Sequence, residues 1–166
     1  MIRVVLGELS DTAAEAVLRP VSAQWNAVTA PMRRLELHAG PELEAQCLAL
    51  GDLPVGSAVI TGAGDLAAKF MIHVVVRSVD EPVTESGVRR GMNNGLRRIA
   101  EWDIRRVAMA PLGTGAGNLD ADESAAIMIP ALVEQMRAGP PTEVEIRVDS
   151  EYEREVFERH IRAAEP

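Results

Sequence analysis

Apolar positions fall into two rhythms along this chain: short continuous or alternating runs, and stripes spaced by three and four. Ile2–Leu6 is a compact apolar run that predicts a strand, closed by Gly7-Glu8-Leu9 and the turn formers Ser10 and Asp11. A second strand is predicted over residues 16–18, ending before Pro20, because a central strand cannot spare a backbone N–H. Residues 22–30, which include Gln24, Trp25, Asn26 and Thr29, show no period and predict a loop. Pro31 suits the first turn of a helix over residues 32–39, and Gly40 interrupts it. Pro41 then opens a second helix through Leu43, Cys47 and Leu50, closed by Gly51.

Residues 56–61 predict a strand and residues 62–65 (GAGD) a tight turn. Residues 70–76 (FMIHVVV) are apolar almost throughout, the pattern of a strand covered on both faces. Pro82 and Thr84 precede a long helix with Val88, Met92, Leu96 and Ile99 on one stripe, and residues 106–110 form another strand. Asp120 and Glu123 have the spacing of a capping box, in which each side chain covers an orphan backbone N–H. They start a helix with Ala125, Ile129 and Val133 on one stripe, and Pro130 inside it should kink or split it. Gly139-Pro140-Pro141 is a rigid connection, residues 144–148 are a last alternating strand, and Ser150 with Glu153 caps a terminal helix through Val156, Phe157 and Ile161.

About six strands and five helices therefore alternate for most of the length. That order predicts an α/β fold, a three-layer α/β/α sandwich with a mixed, about six-stranded sheet, in one domain over residues 1–166. Ligands of such sheets bind at the carboxyl ends of strands, where Gly7-Glu8-Leu9 and the glycine-rich stretch after residue 110 both lie. In that second stretch Pro111 stops the strand, Gly113-Thr114-Gly115-Ala116-Gly117-Asn118 follows, and a helix begins. Glycines permit positive φ and bring backbone N–H groups close to a phosphate, while the helix dipole adds roughly half a positive charge. The expectation is a phosphate-bearing ligand seated on residues 113–118.

Composition narrows the partners. Apolar residues make up 47% and charged residues 25%, as in an ordinary globular protein, but aromatics are only 3%, so the core must be aliphatic. Few aromatics also argue against base stacking on an aromatic platform. With 17 basic and 25 acidic residues the net charge is −8, which repels a polyphosphate backbone and argues against nucleic acid, without excluding one small anion. Cys47 is the only cysteine, and His38, His73 and His160 are widely spaced, so neither a disulfide nor a metal site is expected. The first residues read as a strand rather than a signal peptide and no apolar run approaches membrane length, which predicts a cytoplasmic protein with no membrane partner.

Four separate segments resemble the macro domain, the ADP-ribose-binding module. The first strand of that family ends in Gly-Asp-Ile, matched by Gly7-Glu8-Leu9. A middle block is matched by residues 54–64 (PVGSAVITGAG), a Tyr-Val-Ile-His-type strand by Phe70-Met71-Ile72-His73, and the phosphate loop by Pro111-Leu112-Gly113-Thr114-Gly115. The resemblance spans nearly the whole chain and is most specific from Gly51 to Val133. It implies that Leu112, Gly113, Thr114, Gly115, Ala116, Gly117 and Asn118 wrap a diphosphate and distal ribose, and that Glu8, beside Leu9, offers the carboxylate that accepts from adenine. The family's Asn-Ala-Ala-Asn falls on Arg19-Pro20-Val21-Ser22, so Ser22 stands where an asparagine would orient the terminal ribose or a water. No glycine lies between Gly7 and Gly40, so half of the family's diphosphate cradle is missing.

The resemblance thus implies a binding module for ADP-ribose or a related adenine nucleotide, with little or no hydrolase activity, no cofactor, and no residue in a catalytic role. Two alternatives stay open: an ADP-ribosyl or O-acetyl-ADP-ribose hydrolase with a rebuilt site, and a domain with a vestigial pocket kept for interaction or homo-oligomerisation. His73 and Cys47 read as core residues, and the pairs Arg89-Arg90 and Arg97-Arg98 as a solvated helix face beside nearby acids.

Overall fold

The computed structural model describes residues 1–115 and 118–165. Its strands are β1 (Ile2–Leu6), β2 (Ala16–Ser22), β3 (Ala58–Gly62), β4 (Phe70–Arg77), β5 (Arg106–Met109) and β6 (Glu143–Val148). Its helices are α1 (Ala30–Ala39), α2 (Pro41–Ala49), α3 (Glu85–Glu101), α4 (Ala121–Ala138) and α5 (Glu151–Ala164), with a short 3-10 turn at Leu9–Asp11. All six strands join one sheet in the order β1-β6-β5-β2-β4-β3. Only β3 runs antiparallel, against β4, so the sheet is mixed as expected.

Alternation along β2 sets the layers. Leu18 reaches toward Gly95 of α3, whereas the next residue, Arg19, bonds to Glu36 of α1. Helices α3, α4 and α5 therefore cover one face, packing side by side, and α1 and α2 lie on the other. Gly91 brings α3 close to the sheet: a Cβ there would lie 2.5 Å from Val74 Cγ1. No helix of the described residues is long and apolar enough to cross a membrane.

Three expectations need correction. Strand β2 does not stop before Pro20 but runs on to Ser22. Leu18 accepts from Ala110 on the β5 side, and Pro20, two residues on, faces the same side. Pairing with β5 ends at Met109, so the missing N–H of Pro20 has no ladder partner to lose. Pro130 does not split α4, which continues to Ala138. Both Pro130 and Ala126, the residue whose carbonyl loses its donor, lie on the exposed side of the helix, so the lost bond falls where solvent can replace it. Strand β6 is not alternating, because it lies between β1 and β5 and is buried on both faces, taking Glu145 inside.

Candidate ligand cleft

A cleft of about 140 Å³ opens over the carboxyl ends of β1, β6, β5 and β2. Gly7, Glu8 and Leu9 line it after β1, Ala110, Thr114 and Gly115 after β5, and Pro20 on β2. The wall facing the glycine loop is the start of α1, contributed by Thr29, Pro31 and Met32. Thr29 caps that helix, its hydroxyl accepting from Met32 N–H at 3.3 Å.

The glycine loop is held from behind. Met128 Sδ takes the N–H of Leu112 at 3.3 Å, and Ser124 Oγ donates to the Leu112 carbonyl at 2.7 Å. Asn118 Nδ2 donates to the Val83 carbonyl at 2.7 Å. Gly115 has φ +73°, a left-handed conformation that turns the loop and costs an L side chain about 1–2 kcal/mol.

Of the residues expected to touch ligand, the structure brings Glu8, Leu9, Thr114 and Gly115 together in the cleft. Leu9 is buried, so it presents backbone rather than side chain. Leu112 and Gly113 are buried behind the loop, and Asn118 is turned to Val83. Ser22 does not line the cleft: its hydroxyl is buried and accepts from Asn26 N–H at 2.9 Å, closing a turn. Ala116 and Gly117 lie outside the described residues. The start of α4 is also spoken for, because Asp120 and Glu123 make both capping-box bonds, at 2.8 and 3.2 Å. The helix end that meets the cleft beside the glycine loop is therefore that of α1, not α4.

The sequence reading missed the charged groups of the cleft. Arg147, Asp149 and Glu153 line it beside Glu8. The carboxylate of Glu8 accepts from Arg34 Nε at 2.8 Å, and Arg34 lies 3.7 Å from Asp149. Arg147 Nε donates to Glu145 at 3.1 Å and Nη1 to the Glu8 carbonyl at 3.3 Å. Glu145 also accepts from Thr12 Oγ1 at 2.8 Å and is bridged to Arg3. Burial pushes the Glu145 carboxyl up, but the donors Thr12, Arg3 and Arg147 together outweigh it, and its pKa lies below the ordinary value. The Thr-Ala-Pro start of α1 could have flagged Thr29 as a cap. Glu145, two residues before it, is a local partner of Arg147, but the contact that places Arg147 in the cleft, with Glu8, spans 139 residues.

A second polar cluster lies buried between β2, β4 and α1. Arg19 donates from Nε to His73 Nδ1 at 2.9 Å and from Nη1 to Glu36 at 2.6 Å. A guanidinium can only donate, so the His73 proton must sit on Nε2, where it is given to Thr61 Oγ1 at 2.8 Å, and Thr61 donates onward to the Gly62 carbonyl. Burial first, and the charge of Arg19 second, hold the His73 pKa well below its ordinary value. Cys47 Sγ is 3.9 Å from the same ring, with its own pKa raised by burial, and Trp25 meets the ring edge-on at 5.1 Å. A neutral imidazole that accepts from arginine and a protonated thiol make a satisfied core network, not a nucleophile and base. Among the described residues no group of three or more histidine, cysteine or carboxylate side chains could hold a metal ion.

Comparison with known proteins agrees with this architecture. The Macro domain family model matches residues 33–128, more than half of the chain. An uncharacterized protein of Aeropyrum pernix is 32% identical over 132 residues, covering 75% of this chain and 67% of that protein. An O-acetyl-ADP-ribose deacetylase of Shigella flexneri is 29% identical over 139 residues, covering 80% and 78%. A mutant of the Oceanobacillus iheyensis macrodomain, solved with ADPR, superposes with a TM-score of 0.85 at 17% identity, covering 96% of this chain and 91% of that one. The chain spans only about a third (35%) of the length of the mycobacterial relatives that it matches.

Proposed function

We propose that this chain, which belongs to the macro domain family, binds ADP-ribose or a closely related nucleoside diphosphate ribose in the cleft between the glycine loop and the start of α1. The observation that carries this reading is the placement of Thr114 and Gly115 at the carboxyl end of β5, directly across from Thr29. A loop turned by a left-handed glycine offers backbone N–H groups to a diphosphate at a strand end, as anion sites in α/β sheets do. The solved relative with ADPR supports the choice of ligand.

Hydrolysis is the weaker part of the family's repertoire here. Ser22, at the position of the family's ribose-orienting asparagine, is committed to the turn at Asn26 and does not line the cleft. The proposed module therefore holds its ligand with little or no turnover, although one relative is named a deacetylase.

Calorimetric titration with ADP-ribose, with AMP as control, tests the reading. Micromolar binding that AMP does not reproduce is the expected result. No heat with ADP-ribose or any other nucleoside diphosphate ribose would overturn the proposal and leave an interaction or oligomerisation unit.

A further inference from the structure

We infer that the outer edge of β1 is a pairing surface for a second copy of this chain, the two β1 strands running antiparallel about Val4. The inference does not depend on what the cleft binds. It starts from the direction in which the backbone of β1 points.

In the parallel ladder with β6, Val144 N–H donates to the Met1 carbonyl at 2.9 Å and Gly7 N–H to the Val148 carbonyl at 3.1 Å. Backbone groups alternate sides along a strand, so Met1, Arg3, Val5 and Gly7 turn theirs to β6. Those of Ile2, Val4 and Leu6 turn outward, where β1 ends the sheet. Among the described residues no hydrogen bond outside the sheet reaches these outward N–H and C=O groups. Natural sheets blunt such an edge with proline, a bulge or an inward charge. Strand β1 has none of these: its register with β6 is unbroken, and its one charged residue, Arg3, is tied to Glu145. Leu6, 51% exposed, adds apolar surface beside the bare edge.

A second copy matches this edge by symmetry. A two-fold axis through the middle of β1 sets Val4 against its own equivalent and Ile2 against Leu6. Facing residues of this kind in an antiparallel pair exchange both N–H···O=C bonds, so every outward donor and acceptor of both strands is used. The same register lays Leu6 beside Ile2, apolar against apolar, and Arg3 beside Val5, so no like charges stand opposite each other. That absence matters, because each chain carries a net charge of −8 and two copies repel, yet Ile2–Leu6 contains no carboxylate. The contact is isologous, consumes both β1 edges and joins two six-stranded sheets into one. Five residues a side make a small interface, so the expected dimer is weak.

Sedimentation velocity on the whole chain between about 1 and about 300 µM, at low and high salt, tests the pairing, with hydrogen exchange at the two ends of that range. A concentration-dependent dimer is expected, tightened by salt because screening relieves the repulsion of two acidic copies. The amides of Ile2, Val4 and Leu6 are expected to exchange several-fold more slowly at the high concentration. Val4→Pro deletes the donor at the axis without touching the ladder to β6, and Leu6→Lys places a charge on the exposed edge. Each is expected to weaken the dimer at least about tenfold with an unchanged circular dichroism spectrum, and the lysine variant decides the matter if proline disturbs the strand. A chain that stays monomeric throughout would overturn the inference and leave the edge to a strand of another polypeptide. A dimer that Leu6→Lys does not weaken, or in which those three amides stay fast, would overturn it too, because the contact then lies elsewhere.

Discussion

A Cβ built on Gly115 would lie 2.9 Å from Thr29 Cγ2, so the glycine loop and the cap of α1 already meet across the cleft. Any side chain at position 115 must push that wall back and also hold φ at +73°. Gly115→Glu is therefore expected to cost about 1–2 kcal/mol of stability and to weaken ADP-ribose binding by at least about tenfold, since a carboxylate is placed where a phosphate should sit. Circular dichroism melts with calorimetry on the same sample separate the two effects. Unchanged affinity in a folded variant would show that the ligand does not use this loop.

Ser22 gives the opposite expectation. Its hydroxyl ties down Asn26 N–H away from the cleft, so Ser22→Ala is expected to cost about 1 kcal/mol while ADP-ribose affinity stays within about twofold of the parent. A large loss of affinity at unchanged stability would place Ser22 at the ligand after all.

His73 makes stability depend on pH. Its folded pKa lies well below the ordinary value of 6.5, so the unfolded chain takes up a proton that the folded chain refuses. This contribution is whole above pH 6.5 and is lost as pH falls below it, with a slope of at most about 1.4 kcal/mol per pH unit. Denaturant midpoints between about pH 8 and about pH 5 are expected to fall more steeply for the parent than for His73→Gln. The other two histidines are present in both, so equal slopes would mean that the ring is not held neutral.

Glu145 is paired with two arginines and a threonine hydroxyl, and its removal leaves Arg147 half-orphaned. Glu145→Leu is expected to cost about 2–4 kcal/mol, and the double variant Glu145→Leu with Arg147→Met to recover much of that, because a matched apolar pair replaces a buried ion pair at little cost. Urea unfolding of the four chains in the cycle measures it; strictly additive losses would show that the two residues do not act as a pair. The folded Glu145 pKa lies below the ordinary carboxyl value. Its contribution is therefore complete above that value and fades as pH drops further.

The order of elements was legible in the sequence partly because three of the five helices announce themselves by a cap: Thr84, Asp120 and Ser150 all accept from backbone N–H groups. The glycine loop was legible as a motif, but not which of its residues face the cleft. Leu112 and Gly113 lie behind it because Met128, Ser124 and Leu119 anchor them, and all three belong to the segment that follows. The full length of β2 depends on where β5 stops, and the burial of Glu145 depends on β6 lying inside the sheet. Such facts are properties of strand order, which local pattern does not carry. Arg147 and Arg19 are hidden for the same reason, since charges are expected at the surface until their distant partners are known.

Among the described residues, strand β1 pairs with β6 alone, Ile2 opposite Val144 and Leu6 opposite Val148. Within this sheet β1 is made before its partner and must therefore wait, unpaired and apolar, for β6. A nascent chain that has not yet exposed residue 148 lacks not only an edge of the sheet but also Arg147 and Gly7 in their places, so this end of the cleft forms only after β6 is made. A chain cut short before β6 therefore lacks one whole end of the cleft.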